Sequence, residues 1–351
     1  MKNKLIKEVS GLRCIGILMV IFFHLPLIYT PKFLGYHQKI SLVFSTQSGV
    51  ELLFVIAGYF LMCSLSRIES YENKVEAIIN FIGKKFKRLA PAAYFWIGVT
   101  LFFCLISNNS ELWHTKGVMI RKFLATIIWF RNFEDVYFGS QFGYFWALSL
   151  EFQFFIIFTI IYFYLGKKKT LYLSIIVCIV MLFYRPGVGT VNWCFRFDSM
   201  LYGVILYYLL KKTDLEFIHK KFKVNKLYTI GWSFLLTFAL ASIYVTFAGY
   251  PHMRISLCAL ICSVMLLLAL SNNSYFYLKT FGINKIIDWI ASRSYSLYCC
   301  HIVSWYIVRQ IYVWLGIEYN KNGIIYCIIL MIFSAEFSYR YIENLLIEKK
   351  V

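Results

Sequence analysis

The chain has 351 residues, of which 60% are hydrophobic and 20% aromatic, and its formal net charge is +19. With a mean hydropathy of +0.66, it is too apolar for an ordinary water-soluble domain. The charge does not indicate nucleic acid, because Lys and Arg sit in short segments between apolar runs, as the positive-inside rule produces.

Ten apolar runs suited to about 30 Å of hydrocarbon follow one another along the chain. They cover 12–30, 48–65, 91–107, 143–165, 171–184, 197–210, 227–247, 254–271, 294–315 and 323–343, and the fifth and sixth are short. Lys2, Lys4 and Lys7 precede the first run as in a signal peptide, but no small-x-small cleavage site follows, so the run reads as a retained span. With the N-terminus in the cytoplasm, 23 of the 36 Lys and Arg fall on the inner side and ten in outer loops. Arg13, Arg309 and Arg340 lie within runs. One outer segment, 108–142, is more basic than the inner loop 166–170 beside it. The expected fold is therefore all-α: a polytopic integral membrane protein of about ten transmembrane helices with both termini cytoplasmic. It forms a single transmembrane domain over 1–351 with no fused soluble domain. "RKFLATIIWF" in 108–142 and "KVEAIINFIGKKFKR" in 74–88 read as helices lying on the outer and inner membrane surfaces.

Ten cysteines are present, but no CxxC, CxxCH or Cys/His zinc spacing occurs. They read as buried free thiols, and no metal is expected.

An ionisable side chain inside a span costs several kcal/mol and marks function by default. Arg13 and His24 are eleven residues apart, which is three helical turns plus about 20°, so they share one face about 16 Å apart along the axis. The alternatives are a snorkelling anchor for Arg13 and a hydrogen-bonded core residue for His24. Glu151, in "FGYFWALSLEFQFF", lies at a depth similar to His24, and the two are expected to form an acid–base pair or a structural hydrogen bond. Glu51, Arg196 and Asp198 lie at the outer ends of their spans and either contact a hydroxyl-rich acceptor or pair with nearby charges. Lys84, Lys85, Lys87 and Arg88 precede Pro91 on the inner side. They suit either the phosphates of a cytosolic nucleotide or anionic lipid. His301 lies about seven residues into the ninth span. Glu336, Arg340 and Glu343 share a face near the inner end of the tenth.

Seven segments, in order, resemble the membrane acyltransferase-3 family of bacterial inner-membrane O-acyltransferases of surface polysaccharides. Arg13 and His24 match its R-x10-H signature, and "GVELLFVIAGYFL" resembles its second span. "KKFKRLAP", "FWALSLEFQFF", "RFDSMLYG", "SYSLYCCH" and "YRYIENLLI" are similar to later family blocks. Three departures stand out. Lys85 occupies one position of the family's arginine pair, Ala57 replaces a serine, and Leu345 replaces a proline.

The resemblance implies transfer of an acyl group, expected to be acetyl, from cytosolic acetyl-CoA to a hydroxyl of a cell-surface glycan or its lipid-linked precursor. Arg13, Lys85 and Arg88 are implied to hold the donor phosphates. His24 is the implied general base, oriented by Glu151. His301 either lines the donor tunnel or makes a structural helix contact. The implied partners are acyl-CoA, the glycan acceptor and membrane lipid. A transporter or flippase of a lipid-linked glycan is the alternative from another class, but the inverted repeats or paired broken helices it calls for are not evident.

Overall fold

The computed structural model describes residues 2–68, 73–138, 142–187, 189–211, 213, 215–277, 282–343 and 345–346, with backbone alone at 2–6, 215 and 251. Asn344 and Ile347 of "YRYIENLLI", and Lys2, Lys4, Lys212, Lys279, Lys349 and Lys350 of the charge count, therefore lie outside the described side chains.

Among the described residues every regular element is helical. The long ones are α1 Lys2–His24, α3 Gly49–Ile68, α4 Lys74–Ser107, α8 Trp146–Phe183, α11 Lys226–Thr246, α12 Pro251–Leu270, α14 Ser294–Trp314 and α15 Lys321–Phe337. Shorter helices fill the intervals: α2 Pro31–Ser41, α5 Ser110–Trp113, α6 Lys116–Ile127, α7 Arg131–Phe138, α9 Asp198–Lys211, α10 Leu215–Lys221 and α13 Ile283–Ser292. Seven helical segments among the described residues are long and apolar enough to cross a membrane. Their outer faces carry side chains such as Phe234 and Phe333, which are about 70% exposed. Such rings belong against lipid rather than water.

One element differs from the sequence expectation, and a second keeps it in another form. The run 74–88 is the first half of α4, which continues unbroken through Pro91. The fourth and fifth predicted spans form one helical run, α8, interrupted at Gly166 (φ 76°, ψ 169°). That break reverses the chain. Phe154 packs on Phe197 at 5.6 Å between ring centroids, and Cys178 Sγ lies 3.8 Å from the Asp198 carbonyl. On a straight helix residues 154 and 178 would be about 36 Å apart. Instead they meet consecutive residues, so the two halves lie side by side. Glycine accommodates this backbone because it has no Cβ.

The helix that carries Glu51 is held by close backbone approach. A Cβ on Gly58 of α3 would sit 1.9 Å from the Met200 carbonyl oxygen of α9, and one on Gly203 would sit 2.0 Å from that of Val55. Small residues at such crossings allow the dispersion contacts that drive helix association in lipid.

Candidate active site

His24 closes α1, and a 3-10 turn, Leu25–Ile28, follows it. Its Nδ1 lies 2.9 Å from the Val20 carbonyl oxygen and 3.2 Å from Nε2 of His301. His301 is fully buried on α14, with its Nδ1 3.1 Å from the Leu297 carbonyl and 2.9 Å from that of Tyr298. Carbonyls only accept, so Nδ1 of His301 carries the proton and its Nε2, in the neutral ring, offers a lone pair. His24 then donates from Nδ1 to Val20 and His301. Its own Nε2 keeps a free lone pair. The paired rings are walled by Tyr144, 5.0 Å from His301 and 6.4 Å from His24, and by Trp305 at 5.4 Å from His301. Tyr144 donates to the Cys299 carbonyl at 2.9 Å, and Tyr298 donates to that of Tyr144 at 2.6 Å, tying α14 to the turn that opens α8.

Two cavities meet beside this pair. The first, about 130 Å³, is lined by Arg13, Lys85, Arg88 and Glu151 among aromatic and aliphatic side chains. Lys85 lies between the rings of Phe81 (5.3 Å) and Phe155 (4.7 Å), and Arg13 is 6.0 Å from Phe60. None of these three cations forms an ion pair with Glu151 within 4 Å, so the cavity has an excess of positive charge available to an anion. The second, about 190 Å³, is lined by His24, Glu51, Arg196, Tyr144 and Tyr244. Val50 and Tyr298 line both, so one wall separates the cationic cavity from the one His24 faces. A third, about 400 Å³, shares Gln47, Trp146, Arg196 and Tyr244 with the second and extends to Asp135 and Arg254. At Asp135, outside the apolar spans, burial pushes the carboxyl up to about 7, against the pull of Arg131 and Lys122.

The sequence model of the acyltransferase-3 family, described as an acyltransferase domain, matches residues 6–339. The chain belongs to this family. It is 23% identical to the peptidoglycan O-acetyltransferase OatA of Listeria monocytogenes over 85% of its own length and 49% of that protein. It is 27% identical to the O-acetyltransferase OatA of Staphylococcus aureus strain NCTC 8325, covering 95% of this chain and 56% of that one. The chain thus spans about half the length of the curated relatives it matches. No solved structure matches it significantly.

Within this acyltransferase-3 chain the predicted site residues divide into groups. Arg13, Lys85 and Arg88 line one cavity, with Glu151 among them. Glu151 does not reach His24. The two line different cavities, and the partner at His24 Nδ1 is His301, which sequence reasoning assigned to the donor tunnel or to a helix contact. Glu51 is buried and binds Arg196 and Ser199, and the Arg196 guanidinium sits 4.8 Å from the rings of both Trp146 and Trp193. Asp198 is fully buried in a bidentate pair with Arg185, which also donates to Ser256 (3.0 Å) and the His252 carbonyl (3.2 Å). Asp198 therefore joins α9 to α12 and lines none of these three cavities, which fits the charge-pairing alternative for it. Glu336 pairs with Arg293 and Arg340, and Glu343 accepts from Ser296 at 2.8 Å. Arg309, left unassigned by the sequence, donates to the Leu27 carbonyl at 2.9 Å, and the Tyr319 hydroxyl donates to that of Ile28 at 3.0 Å. Both fix the turn that follows His24.

Proposed function

We propose that the protein transfers an acyl group, acetyl in the simplest case, from cytosolic acyl-CoA to a hydroxyl of a cell-surface glycan or its lipid-linked precursor in the bacterial inner membrane. One observation carries the reading: a cation-lined cavity and a cavity faced by His24 meet at a common wall of Val50 and Tyr298. We further propose ten crossings with both ends in the cytoplasm. The charge division between loops and the chain reversal at Gly166 support this topology.

In this reading Arg13, Lys85 and Arg88 hold the donor phosphates, and the thioester reaches the wall between the cavities. Lys85 offers a compact point charge, whereas the two arginines offer flat forks for bidentate contact. His24 Nε2 takes the proton of the acceptor hydroxyl, whose oxygen attacks the thioester carbon. The tetrahedral oxyanion collapses, the carbon–sulfur bond breaks, and the thiol leaves with the proton returned by His24. The Val20 carbonyl sets the His24 tautomer, and His301 replaces Glu151 as the side chain that orients its ring. The names of the relatives favour acetyl as the group and peptidoglycan or a related glycan as the acceptor.

The test feeds labelled acetyl-CoA to inverted membrane vesicles containing wild-type or His24→Ala protein with a lipid-linked glycan, and counts alkali-labile label in the glycan. Label with wild type and none with the variant is the expected result. Equal label in both removes His24 from the chemistry. No label with wild type, alongside movement of the glycan across the vesicle membrane, replaces the transferase reading with a transporter.

A further inference from the structure

The third cavity contains a charge that the proposed chemistry does not use. Arg254, in the first turn of α12, lines it with its guanidinium 5.0 Å from the ring of Tyr244. Among the described residues Arg254 makes no ion pair, and its Nε is buried without a hydrogen-bond partner. The other charges on this wall have ion-pair partners, Arg196 in Glu51 and Asp135 in Arg131 (2.9 Å) and Lys122 (3.6 Å), although Arg196 Nε and the Asp135 carboxyl oxygens are likewise buried without a hydrogen bond. An unpaired guanidinium at the edge of a span is costly unless something pairs with it.

The surroundings indicate what that partner is. Trp146, Trp193 and Tyr244 provide apolar ring surface, and Gln47 and Asn132 provide amide groups. A few polar groups among aromatic walls is the lining of a small-molecule site. Four shared residues make the cavity continuous with the one His24 faces. A molecule whose hydroxyl reaches His24 therefore extends toward Arg254. A guanidinium binds carboxylate and phosphate alike through two parallel N–H donors.

We propose that this outer cavity is the acceptor subsite and takes a glycan bearing an anionic substituent, carboxylate or phosphate, which Arg254 binds. The inference rests on the acyl-transfer reading for its orientation toward His24, but its test does not require transfer.

The experiment titrates the full-length protein in lipid nanodiscs with three oligosaccharides of one backbone: neutral, uronate-bearing and phosphate-bearing. Tryptophan fluorescence reports binding, because Trp146 and Trp193 line the cavity. Wild type is expected to bind one anionic form at least about tenfold more tightly than the neutral form, the scale of a hydrogen bond to a charged group. Which anionic form wins identifies the substituent. R254Q is expected to erase that preference while leaving neutral binding unchanged. R254K, which keeps the charge and loses the fork, retains part of it and serves if R254Q does not fold. Equal wild-type affinity for all three, equal loss of neutral and anionic binding in the variants, or no binding at all overturns the inference. Tight anion-dependent binding without acetyl transfer keeps it and overturns the transfer reading instead.

Discussion

His301 Nε2 and His24 Nδ1 lie 3.2 Å apart, and the carbonyls of Val20 at one ring and of Leu297 and Tyr298 at the other determine which ring holds the proton between them. Because His301 must donate from Nδ1, His24 must donate toward it, and only Nε2 of His24 is left to act as a base. His301→Ala is therefore expected to lower kcat for acetyl transfer by about 10²-fold or more with the KM for acetyl-CoA unchanged, since a misdirected base loses its general-base contribution. Steady-state kinetics on inverted vesicles check this. An unchanged kcat would show that His301 only fills space.

Arg309 and Tyr319 hold the backbone at Leu27 and Ile28, three and four residues beyond His24. Neither side chain lines the cavity that His24 faces. Arg309→Ala is expected to release the turn and lower kcat between about tenfold and 10²-fold, because misplacing a catalytic group by about 1 Å costs that much. Tyr319→Phe removes one hydrogen bond and is expected to do less. A rise in the KM for acetyl-CoA without a fall in kcat would place Arg309 in donor binding instead.

Asp198 and Arg185 form a buried pair, with side chains 0% and 1% exposed. Removing one partner leaves the other charge stranded, at a cost of about 3–5 kcal/mol. Asp198→Asn is expected to reduce the amount of folded protein in the membrane, and Arg185→Gln with Asp198→Asn to recover a large share of it. Size-exclusion profiles in detergent after heating measure both. A variant that folds normally but loses glycan binding would return Asp198 to the substrate site.

The legible parts of this site were those set by local geometry. Lys85 and Arg88 are one helical turn apart on α4, so their pairing followed from spacing and charge, whereas the placing of Arg13 beside them followed from the family resemblance. The chain reversal at Gly166 was visible as a glycine before three lysines between two apolar runs. The pairings across helices were not legible. His24 and His301 are separated by 277 positions, and Glu151 was as good a candidate on depth alone. The choice between Arg196 and Arg185 as partner for Glu51 or Asp198 depends on how α3, α9 and α12 pack, which no single segment encodes. One signal was available and unused: an arginine inside an apolar run, such as Arg309, must have a polar partner nearby.

Asp135 gives the outer cavity a pH dependence. Facing it are Lys122 from α6, and Arg131 and Glu134 from its own helix, while Arg196 and Arg254 line the same cavity. Burial raises its carboxyl to about 7, so between pH 6 and pH 8 it passes from mostly neutral to mostly charged. The added negative charge opposes an anionic acceptor, and affinity for the acidic oligosaccharide is expected to fall over that range. Asp135→Asn is expected to flatten the profile. A wild-type profile that rises with pH would contradict this sign.

Gly58 and Gly203 allow α3 and α9 to approach closely enough for Glu51 to reach Arg196 and Ser199. A methyl group at 58 would meet the Met200 carbonyl oxygen at 1.9 Å, and backbone cannot rotate away as a side chain can. Gly58→Ala is expected to push the helices apart, cost about 1–3 kcal/mol, and weaken the wall that Glu51 and Arg196 form beside His24. Gly98→Ala is the control, because that glycine also lies in a long apolar helix but has nothing within 4 Å of its Cβ position. Replacing it removes backbone freedom without a clash, so it is expected to leave thermal unfolding in detergent unchanged or slightly raised. If both variants unfold alike, the contact between α3 and α9 is loose, and the placement of Glu51 must depend on its ion pair alone.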